Sequence, residues 1–184
     1  GRKPDWARVD YRMVTSPPAR LTALLAGDVD FIDQVPTTDI ERLRANVAIR
    51  LSESGSLRFI YIAFDQSRDE LQDSDVKGRN PFKELRVRKA VYHAINVPLI
   101  VDKVLRGQAV PTGAFLSPLV DGSPVDLDKR LPFDPARARL LLAEAGYPNG
   151  FSITLDCVNV AWRENVCQAV SAMLTQVGIR TTLR

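Results

Sequence analysis

The stretch that decides the fold is "FKELRVRKAVYHAINVPLIVDKVLRG", at residues 82–107. Apolar residues recur in its first half at the spacing that places them on one face of an α-helix. They are Leu85, Val87, Val91, Ala94 and Ile95. Asn96 can cap a second helix, in which Pro98 is tolerated because it falls in the first turn, and Gly107 ends it. The stretch therefore predicts two successive helices with a short stop between them.

The first of these helices carries three cations within four positions, namely Arg86, Arg88 and Lys89. They flank Val87 and Val91, and so they fall on the outward side of a helix whose other side is core. We interpret this basic face as solvated scaffolding.

Downstream of this stretch, strands alternate with helices. Asp134 and Pro135 begin a helix that stops at Gly146. The sequence "FSITLDC", residues 151–157, alternates as a strand, and the helical stripe that follows it ends at Gly178. "IRTTLR" then begins another strand. Such alternation predicts an α/β sandwich with helices packed on a sheet.

Upstream, we expect two further helices. Ser16 and Pro17 can open the first of them, and Gly27 ends it. Thr38-x-x-Glu41 has the spacing of a capping box for the second, because each side chain can bond to the other's backbone N–H.

Two strands and two loops complete the prediction. "DVDFI" at residues 28–32 is typical of a short strand, and "SLRFIYIAF" at residues 56–64 of a central strand. Both faces of the second strand are apolar, so we expect both to be covered. Residues 66–81 and 108–133 carry turn formers and predict loops. A long loop such as the second is often functional.

The composition is that of a globular protein. The 184 residues are 45% hydrophobic and 26% charged, and the net charge is +3. This small excess, with a pI near 9.0, is spread along the chain, whereas nucleic-acid binding requires a concentrated basic face. No apolar run approaches the roughly 20 residues that span a bilayer, and no signal-peptide pattern is present.

The two cysteines, Cys157 and Cys167, are ten residues apart. We favour two free, half-buried thiols, since cysteine often behaves as a small hydrophobic residue; a disulfide is the alternative. Their spacing is not that of a metal site, and no second pair completes one.

Residues suited to catalysis are scarce. His93 is the one histidine of the sequence and is expected in mid-helix, where a packed or surface role is the usual one. No nucleophile elbow and no glycine-rich phosphate loop accompanies it. Asp126 and Asp128 lie in the long loop, where solvated surface is the default interpretation. We therefore predict no catalysis, no cofactor and no metal.

Several segments together resemble a known family, the family 5 extracellular solute-binding proteins. They are "ARLTALLAGDVDFIDQVP" (19–36), "GSLRFIYIAFD" (55–65), "NPFKELRVRKAVYHAINVPLIVDKVLRGQAVPTGAFLSP" (80–118) and "FDPARARLLLAEAGYPNGFSITL" (133–155). The resemblance runs in order over nearly the whole chain. Two departures are Asp65, where members often carry Asn, and "AINV" at residues 94–97, where many members read "AIDR".

This resemblance implies the fold and its division. We expect an α/β chain that forms a portion of a two-lobed, type II-like periplasmic-binding-protein fold, with a mixed sheet flanked by helices. Residues 1–55 would belong to the first lobe and residues 56–184 to the second.

The resemblance also implies a function: the periplasmic or lipid-anchored substrate-binding component of an ABC importer, with a peptide as the favoured solute. Permease subunits are then partners, with membrane contact only through them or through a lipid anchor elsewhere. The basic helix could alternatively dock on the transporter or the partner lobe. The competing classes are a nucleic-acid-binding domain, an enzyme, and a binding-protein relative repurposed for regulation.

By the same resemblance, three segments face the ligand cleft. The first is the strand end at residues 61–65, the second is the loop after Gly107, and the third is "NVAWREN" at residues 159–165. The ligand-binding residues that we predict are Tyr61, Ala63, Asp65, Asn159, Trp162 and Arg163. In peptide-binding relatives, the position of Arg163 can present a cation to a ligand carboxylate. Trp162 could pack against the ligand, and a small residue at Ala63 would leave room for a bulkier one.

Overall fold

The computed structural model describes residues 5–117, 120–123 and 128–184. The chain forms two compact units, Gly1–Ser52 and Glu53–Arg184. That these units are portions of two lobes, divided near residue 55, stays a prediction.

The first unit contains the first helix that the sequence predicts, α1 (Pro17–Ala26). The Ser16 hydroxyl accepts a hydrogen bond from the backbone N–H of Ala19, which satisfies one of the free donors at the helix start. Gly27 ends the helix with a φ of 78°, a left-handed conformation that glycine adopts without steric cost. Local capping chemistry thus determines both ends of α1.

The second helix, α2 (Ile40–Arg44), follows a 3₁₀ turn at Thr37–Asp39 and buries Ile40 and Leu43. The predicted capping box does not form, because the Thr38 hydroxyl bonds to the neighbouring Asp39 carboxylate instead. The strand predicted at residues 28–32 is also wrong. No neighbouring segment among the described residues pairs with this stretch, and a strand exists only where a partner completes its backbone hydrogen bonds.

The second unit begins its regular structure with α3 (Leu85–Ala94), as predicted. The Glu84 carboxylate accepts from the N–H of Arg86 at its start. A short helical turn, α4 (Val97–Leu99), follows, with the Asn96 side chain accepting from Leu99 N–H. It continues directly into a wider, π-helical turn at Ile100–Val104, and Gly107 closes the segment at a φ of 77°.

The remaining elements are α5 (Pro135–Glu144), β1 (Phe151–Leu155), α6 (Ala161–Gln176) and β2 (Ile179–Leu183). The two strands pair in parallel from Phe151↔Ile179 to Leu155↔Leu183, so β1, α6 and β2 form a β-α-β crossover. A Cβ built on Gly150 would lie 1.8 Å from the Gly178 carbonyl oxygen, which explains why glycine stands where the strands begin. The predicted α/β class is therefore correct. The sheet of the described residues has two strands.

The core of the second unit lies where α3 and α5 pack together and where α6 covers the sheet. Val87 and Ala90 of α3 and Ala138 of α5 are fully buried, as is Ile179 of β2. Burial of this kind stabilises a fold by about 25 cal/mol for each Å² of apolar surface removed from water. Of the five apolar residues predicted to line the inner face of α3, Val87, Val91, Ala94 and Ile95 are buried. Leu85, at the start of the helix, is 52% exposed, so the prediction is wrong for that residue.

Residues 56–64, predicted as a central strand, do not form one. One face of the segment does meet the core, since Ile62 and Phe64 pack against it and the Phe64 ring lies 4.9 Å from that of Phe82. The opposite face is open, with Tyr61 60% exposed. The prediction that both faces are covered is wrong for the described chain, because neither β1 nor β2 pairs with this segment.

Candidate functional site

A groove of about 700 Å³ lies in the second unit, beside the sheet and the start of α6. Consecutive residues at 59–63, 71–74 and 153–158 line it, together with side chains from α6. It therefore sits where β1 ends and the next helix begins, the usual ligand position in open α/β sheets.

Five of the six predicted ligand-binding residues line this groove, namely Tyr61, Ala63, Asp65, Trp162 and Arg163. Asn159 does not; its neighbour Val158 does, and Asn159 itself is exposed. Folding thus brings together two segments that lie about a hundred residues apart in the sequence. Ligand binding by these residues stays a prediction.

Asp65 has a local structural role. Its carboxylate accepts hydrogen bonds from the Ser67 N–H and hydroxyl, at 3.0 and 2.9 Å, and from the Arg68 guanidinium at 2.8 Å. The bond from the Ser67 hydroxyl, followed by that from the Arg68 N–H, holds the pKa of Asp65 below its usual value. The Asn80 side chain also donates to the Asp65 carbonyl, at 2.8 Å. Asp65 therefore shapes the loop behind the groove.

Trp162 and Arg163 occupy the first turn of α6, and both are half-buried. The Trp162 ring packs against the core, while the Arg163 guanidinium lies over that ring, 5.0 Å from its centre. A cation over an indole face is attracted by the negative charge of the ring. Within the part of the chain that the structure describes, Arg163 forms no ion pair.

The other two arginines that line the groove are paired with carboxylates. Arg68 contacts Asp65, and Arg184 contacts Asp156 at 2.7 Å and Asp73 at 3.0 Å. The Arg184 guanidinium lowers the pKa of the Asp156 carboxyl. Within the described residues, carboxylates thus neutralise Arg68 and Arg184, whereas no carboxylate pairs with Arg163.

Cys157 and Cys167 form a disulfide, with Cα atoms 6.5 Å apart. The expectation of two free thiols is wrong: the β1–α6 connection folds back so that its ends come within bridging distance. The loop that the bridge closes contains Asn159, Trp162 and Arg163, and both cysteines line the groove. This role of the cysteines was not predicted, and their positions on either side of the predicted site were the one signal for it in the sequence.

A second cavity, of about 440 Å³, lies between α3, α5 and the loop before α5. Its charges largely satisfy one another: Arg137 lies 3.5 Å from Glu144, and Arg86 lies 3.4 Å from Glu84 and 3.9 Å from Glu144. Arg88, outside this cavity, donates to two backbone carbonyls of the turn before α3, those of Phe82 and Lys83, at 2.6 and 3.0 Å. These contacts agree with the interpretation of the basic face as scaffolding.

The single histidine and one loop aspartate each contact a described part of the long loop. The His93 ring nitrogen Nδ1 lies 2.8 Å from the Pro132 carbonyl oxygen, a contact that joins α3 to the loop. Asp128, expected on the solvated surface, instead accepts from the Thr112 hydroxyl at 2.7 Å. Asp128 is thus half-buried, and it has a structural role in the loop besides its solvated surface. Asp126 lies outside the described residues.

No group of acidic, histidine or cysteine side chains among the described residues could hold a metal ion. In the same residues, no helix combines the length and the apolar character needed to cross a bilayer.

Comparison with known sequences gives a match along the whole chain. Residues 1–184 match the family model described as bacterial extracellular solute-binding proteins, family 5 Middle. The glutathione-binding protein GsiB of Escherichia coli (strain K12) is 32% identical over 178 residues, which cover 96% of this chain and 32% of that protein. GsiB of Shigella flexneri serotype 5b (strain 8401) is equally similar. The chain thus spans about a third of the length of the curated relatives it matches.

Comparison with solved structures gives the fold. NikA from Brucella suis, in complex with Fe(III)-EDTA, matches with a TM-score of 0.81 at 25% identity, over all of this chain and 38% of that one. The periplasmic binding protein DppA from Helicobacter pylori, in complex with peptide STSA, matches with a TM-score of 0.80 at 24% identity, over 94% of this chain and 31% of that one. The predicted portion of a two-lobed periplasmic-binding-protein fold is confirmed.

The matched family is described as extracellular, and the predicted extracytoplasmic location is confirmed to that extent. The chain belongs to the bacterial extracellular solute-binding proteins of family 5.

Proposed function

We propose that the protein containing this chain is the substrate-binding component of an ABC importer. It captures a small solute that carries a carboxylate, with a peptide as the favoured class, and releases it unchanged. The groove of the second unit supplies one wall of the site. Lobe closure supplies the other, and permease subunits receive the solute.

The observation that carries this proposal is the contrast among the three arginines of the groove. Arg68 and Arg184 are paired with carboxylates, whereas the half-buried Arg163 forms no ion pair within the described residues. A partly desolvated guanidinium without an anionic partner is favourably placed to bind one, since a charge-assisted hydrogen bond is about twice as strong as a neutral one. A ligand carboxylate would complete this site.

The surrounding residues suit a peptide-like solute. Trp162 and Tyr61 combine an apolar ring with a polar edge, and they line the groove with the small side chain of Ala63 between larger ones. Asn159 is exposed beside the groove and can reach a ligand from its rim. We assign Asp65 to the shaping of the loop, because its carboxylate is already occupied.

The proposal does not include catalysis. A general acid in such a groove needs a raised pKa, so that it holds a proton near neutral pH. The pKa values of Asp65 and Asp156 are instead lowered by hydrogen bonds. Both carboxylates are thus ionised, and each is bound to an arginine.

The ligands of similar proteins agree with the proposal of a carboxylate-bearing solute, but they belong to different chemical classes. GsiB is a glutathione-binding protein, the DppA structure contains a peptide, and the NikA structure contains a metal chelate of EDTA. All three kinds of molecule carry carboxylates. A peptide is favoured because it combines that group with the side chains that an aromatic-lined groove can hold.

Binding of peptides by the full-length protein tests this proposal. We expect Ala-Ala-Ala or glutathione to raise the melting temperature, because a ligand that binds the native state stabilises it. In Arg163→Gln, affinity for the free acid should fall by roughly 10- to 100-fold, the equivalent of one charged hydrogen bond. Affinity for the C-terminal amide of the same peptide should change little. Isothermal titration calorimetry measures both.

Arg68→Gln is the matched control, since it removes a groove arginine that is already paired with Asp65. Affinity in this variant should stay within about threefold of the wild type, as expected for a partner in an exposed ion pair. If no peptide, glutathione or metal chelate shifts the melting temperature, the proposed ligand class is wrong. If Arg68→Gln and Arg163→Gln weaken binding equally, the assignment of Arg163 is wrong.

A further inference from the structure

Three aromatic rings form a cluster at the edge of the groove. The ring centres of Phe59 and Phe115 are 4.6 Å apart, those of Tyr61 and Phe115 4.9 Å, and those of Phe59 and Tyr61 5.6 Å. These separations fall within the range in which tilted and edge-to-face rings attract one another. We refer to Phe59, Tyr61 and Phe115 as the aromatic cluster.

The aromatic cluster is continuous with the groove and open on its outer side. Phe59 and Tyr61 line the groove, so the cluster extends the wall that carries Trp162 and Arg163. Phe115 is 68% exposed and Tyr61 60%. An apolar surface of this kind, left open beside a binding groove, marks a place where a ligand or a partner is bound.

The residues that precede Phe115 are held by the Asp128 carboxylate. The Asp128 carboxylate accepts from the Thr112 hydroxyl, from the Gly113 N–H and, at 3.2 Å, from the Ala114 N–H. These bonds, the one from Thr112 foremost, lower the pKa of Asp128, so the carboxylate stays ionised and keeps accepting them at neutral pH.

The same loop is also fastened to α3. The Arg130 guanidinium donates to the Thr112 carbonyl at 2.7 Å and lies over the Tyr92 ring, 4.9 Å from its centre. The backbone that carries Phe115 is therefore already constrained by hydrogen bonds, and ligand binding would not have to order it. Surfaces that are ordered in advance bind more tightly because less conformational entropy is lost.

We propose that the aromatic cluster is an apolar subsite of the groove. It takes an aromatic or large aliphatic side chain of the solute whose carboxylate Arg163 binds. This inference rests on the proposed function, and it narrows the solute to one that carries both an anionic end and an apolar side chain. The lining of the groove contains the two complementary features, a cation on α6 and the rings of the half-buried Phe59 and the exposed Tyr61.

Tripeptides separate this inference from the proposed function. The full-length protein is titrated with Ala-Ala-Ala and with the three tripeptides in which one alanine is replaced by phenylalanine. We expect at least one of the latter to bind roughly 5- to 30-fold more tightly, as ring stacking and apolar burial together predict. In Phe115→Ala this gain should disappear, while the affinity for Ala-Ala-Ala should remain.

Leu116→Ala is the matched control, because Leu116 lies on the same loop and is also exposed but is not part of the ring cluster. It should retain the gain. Equal binding of all four peptides overturns the subsite and leaves the proposed function standing, whereas no binding by any of them overturns both. The subsite is also overturned if Phe115→Ala still binds the phenylalanine-containing tripeptide more tightly than Ala-Ala-Ala. A melting temperature of the unliganded Phe115→Ala protein that falls much further than that of Leu116→Ala would then give the reason. The rings would then be covered by the protein's own chain.

Discussion

The cavity between α3 and α5 and the groove beside α6 both contain several charged side chains, but they differ in how those charges are satisfied. In the first cavity, Glu144 lies near both Arg86 and Arg137. In the groove, Arg163 lies over an aromatic ring and forms no ion pair within the described part of the chain. Lys89 also lines the first cavity and forms no ion pair within the described residues, but its side chain is exposed, whereas Arg163 is half-buried. The basic segment is therefore the less suited of the two to bind an anion, because a fully solvated charge gains little from pairing.

The comparison teaches that charge density is a poor guide to a binding site and that the partners of each charge are a better one. Arg88 shows the point on the basic helix itself, since its guanidinium binds the carbonyls of Phe82 and Lys83. A cation whose hydrogen bonds are all made within its own chain gains little from a ligand. A half-buried cation without such bonds gains more.

The largest effect that sharpens this contrast should come from removing the disulfide. In the double variant Cys157→Ser, Cys167→Ser, we expect the free energy of unfolding to fall by about 2–4 kcal/mol, because the unfolded chain is no longer constrained. We also expect weaker peptide binding, because the closed loop carries Trp162 and Arg163. Chemical denaturation and calorimetry measure the two effects.

Reducing agent applied to the wild type is the control for that variant, and it should reproduce both changes. Binding that stays unchanged in the variant and in the reduced wild type would show that the loop holds Arg163 in place without the bridge. The groove would then resemble the α3 cavity, where non-covalent contacts suffice.

A smaller effect is expected from the acidic side chain that fastens the groove's loop to the sheet. The Asp75 carboxylate accepts from the Ser152 N–H at 2.6 Å and from Arg180 at 2.8 Å; the first bond, with help from the second, lowers its pKa. A carboxyl group whose pKa is lower in the folded state than in the unfolded chain stabilises the fold at any pH above its unfolded-state pKa. This contribution is lost as the pH falls further, because the group then takes up a proton. The melting temperature of Asp75→Asn should thus lie below that of the wild type at pH 7. The difference in melting temperature between the two proteins should shrink below a pH of about 3.8, which is the ordinary pKa of an aspartate carboxyl.

Asp102→Asn provides the comparison for this pH series, because the ion pair that Asp102 forms among the described residues is with the adjacent Lys103, at 2.8 Å, and both side chains are exposed. Its melting temperature should follow that of the wild type at each pH. A difference between Asp75→Asn and the wild type that grows on acidification would contradict the assigned direction of the pKa shift.

The smallest effect should come from the basic face. In the double variant Arg86→Gln, Lys89→Gln, we expect the free energy of unfolding to change by less than about 1 kcal/mol, because exposed ion pairs contribute little to stability. We expect peptide affinity to stay unchanged. Loss of import in cells with normal peptide affinity would show instead that this face docks on the transporter. The basic face would then be an interaction site as well, and the distinction drawn between it and the groove would be wrong.

The elements that the sequence predicted well are those with local signals. α1, α3 and α5 begin at residues whose side chains accept from the first turn, namely Ser16, Glu84 and Asp134. Residues 56–64 have an equally strong strand composition, yet they pair with no strand among the described residues. Pairing depends on a second segment, which local composition does not contain.

The candidate site shows the same division. The resemblance to family 5 pointed to Tyr61, Ala63, Trp162 and Arg163, and the structure brings them to one groove. The bridge between the cysteines was predicted only as an alternative, and the position of Phe115 beside Tyr61 was not predicted at all, because both depend on how loops fold back.

Caps, glycine turns and apolar spacing act within a few residues, and so the sequence alone was enough to predict α1, α3, α5, the β-α-β crossover and the family. Which charges are paired became known only from the three-dimensional fold. Asp65, Asp73 and Asp156 meet Arg68 and Arg184, and none of them meets Arg163. Attraction between charges depends on their distance in space and on their burial, and neither can be predicted from their separation along the chain.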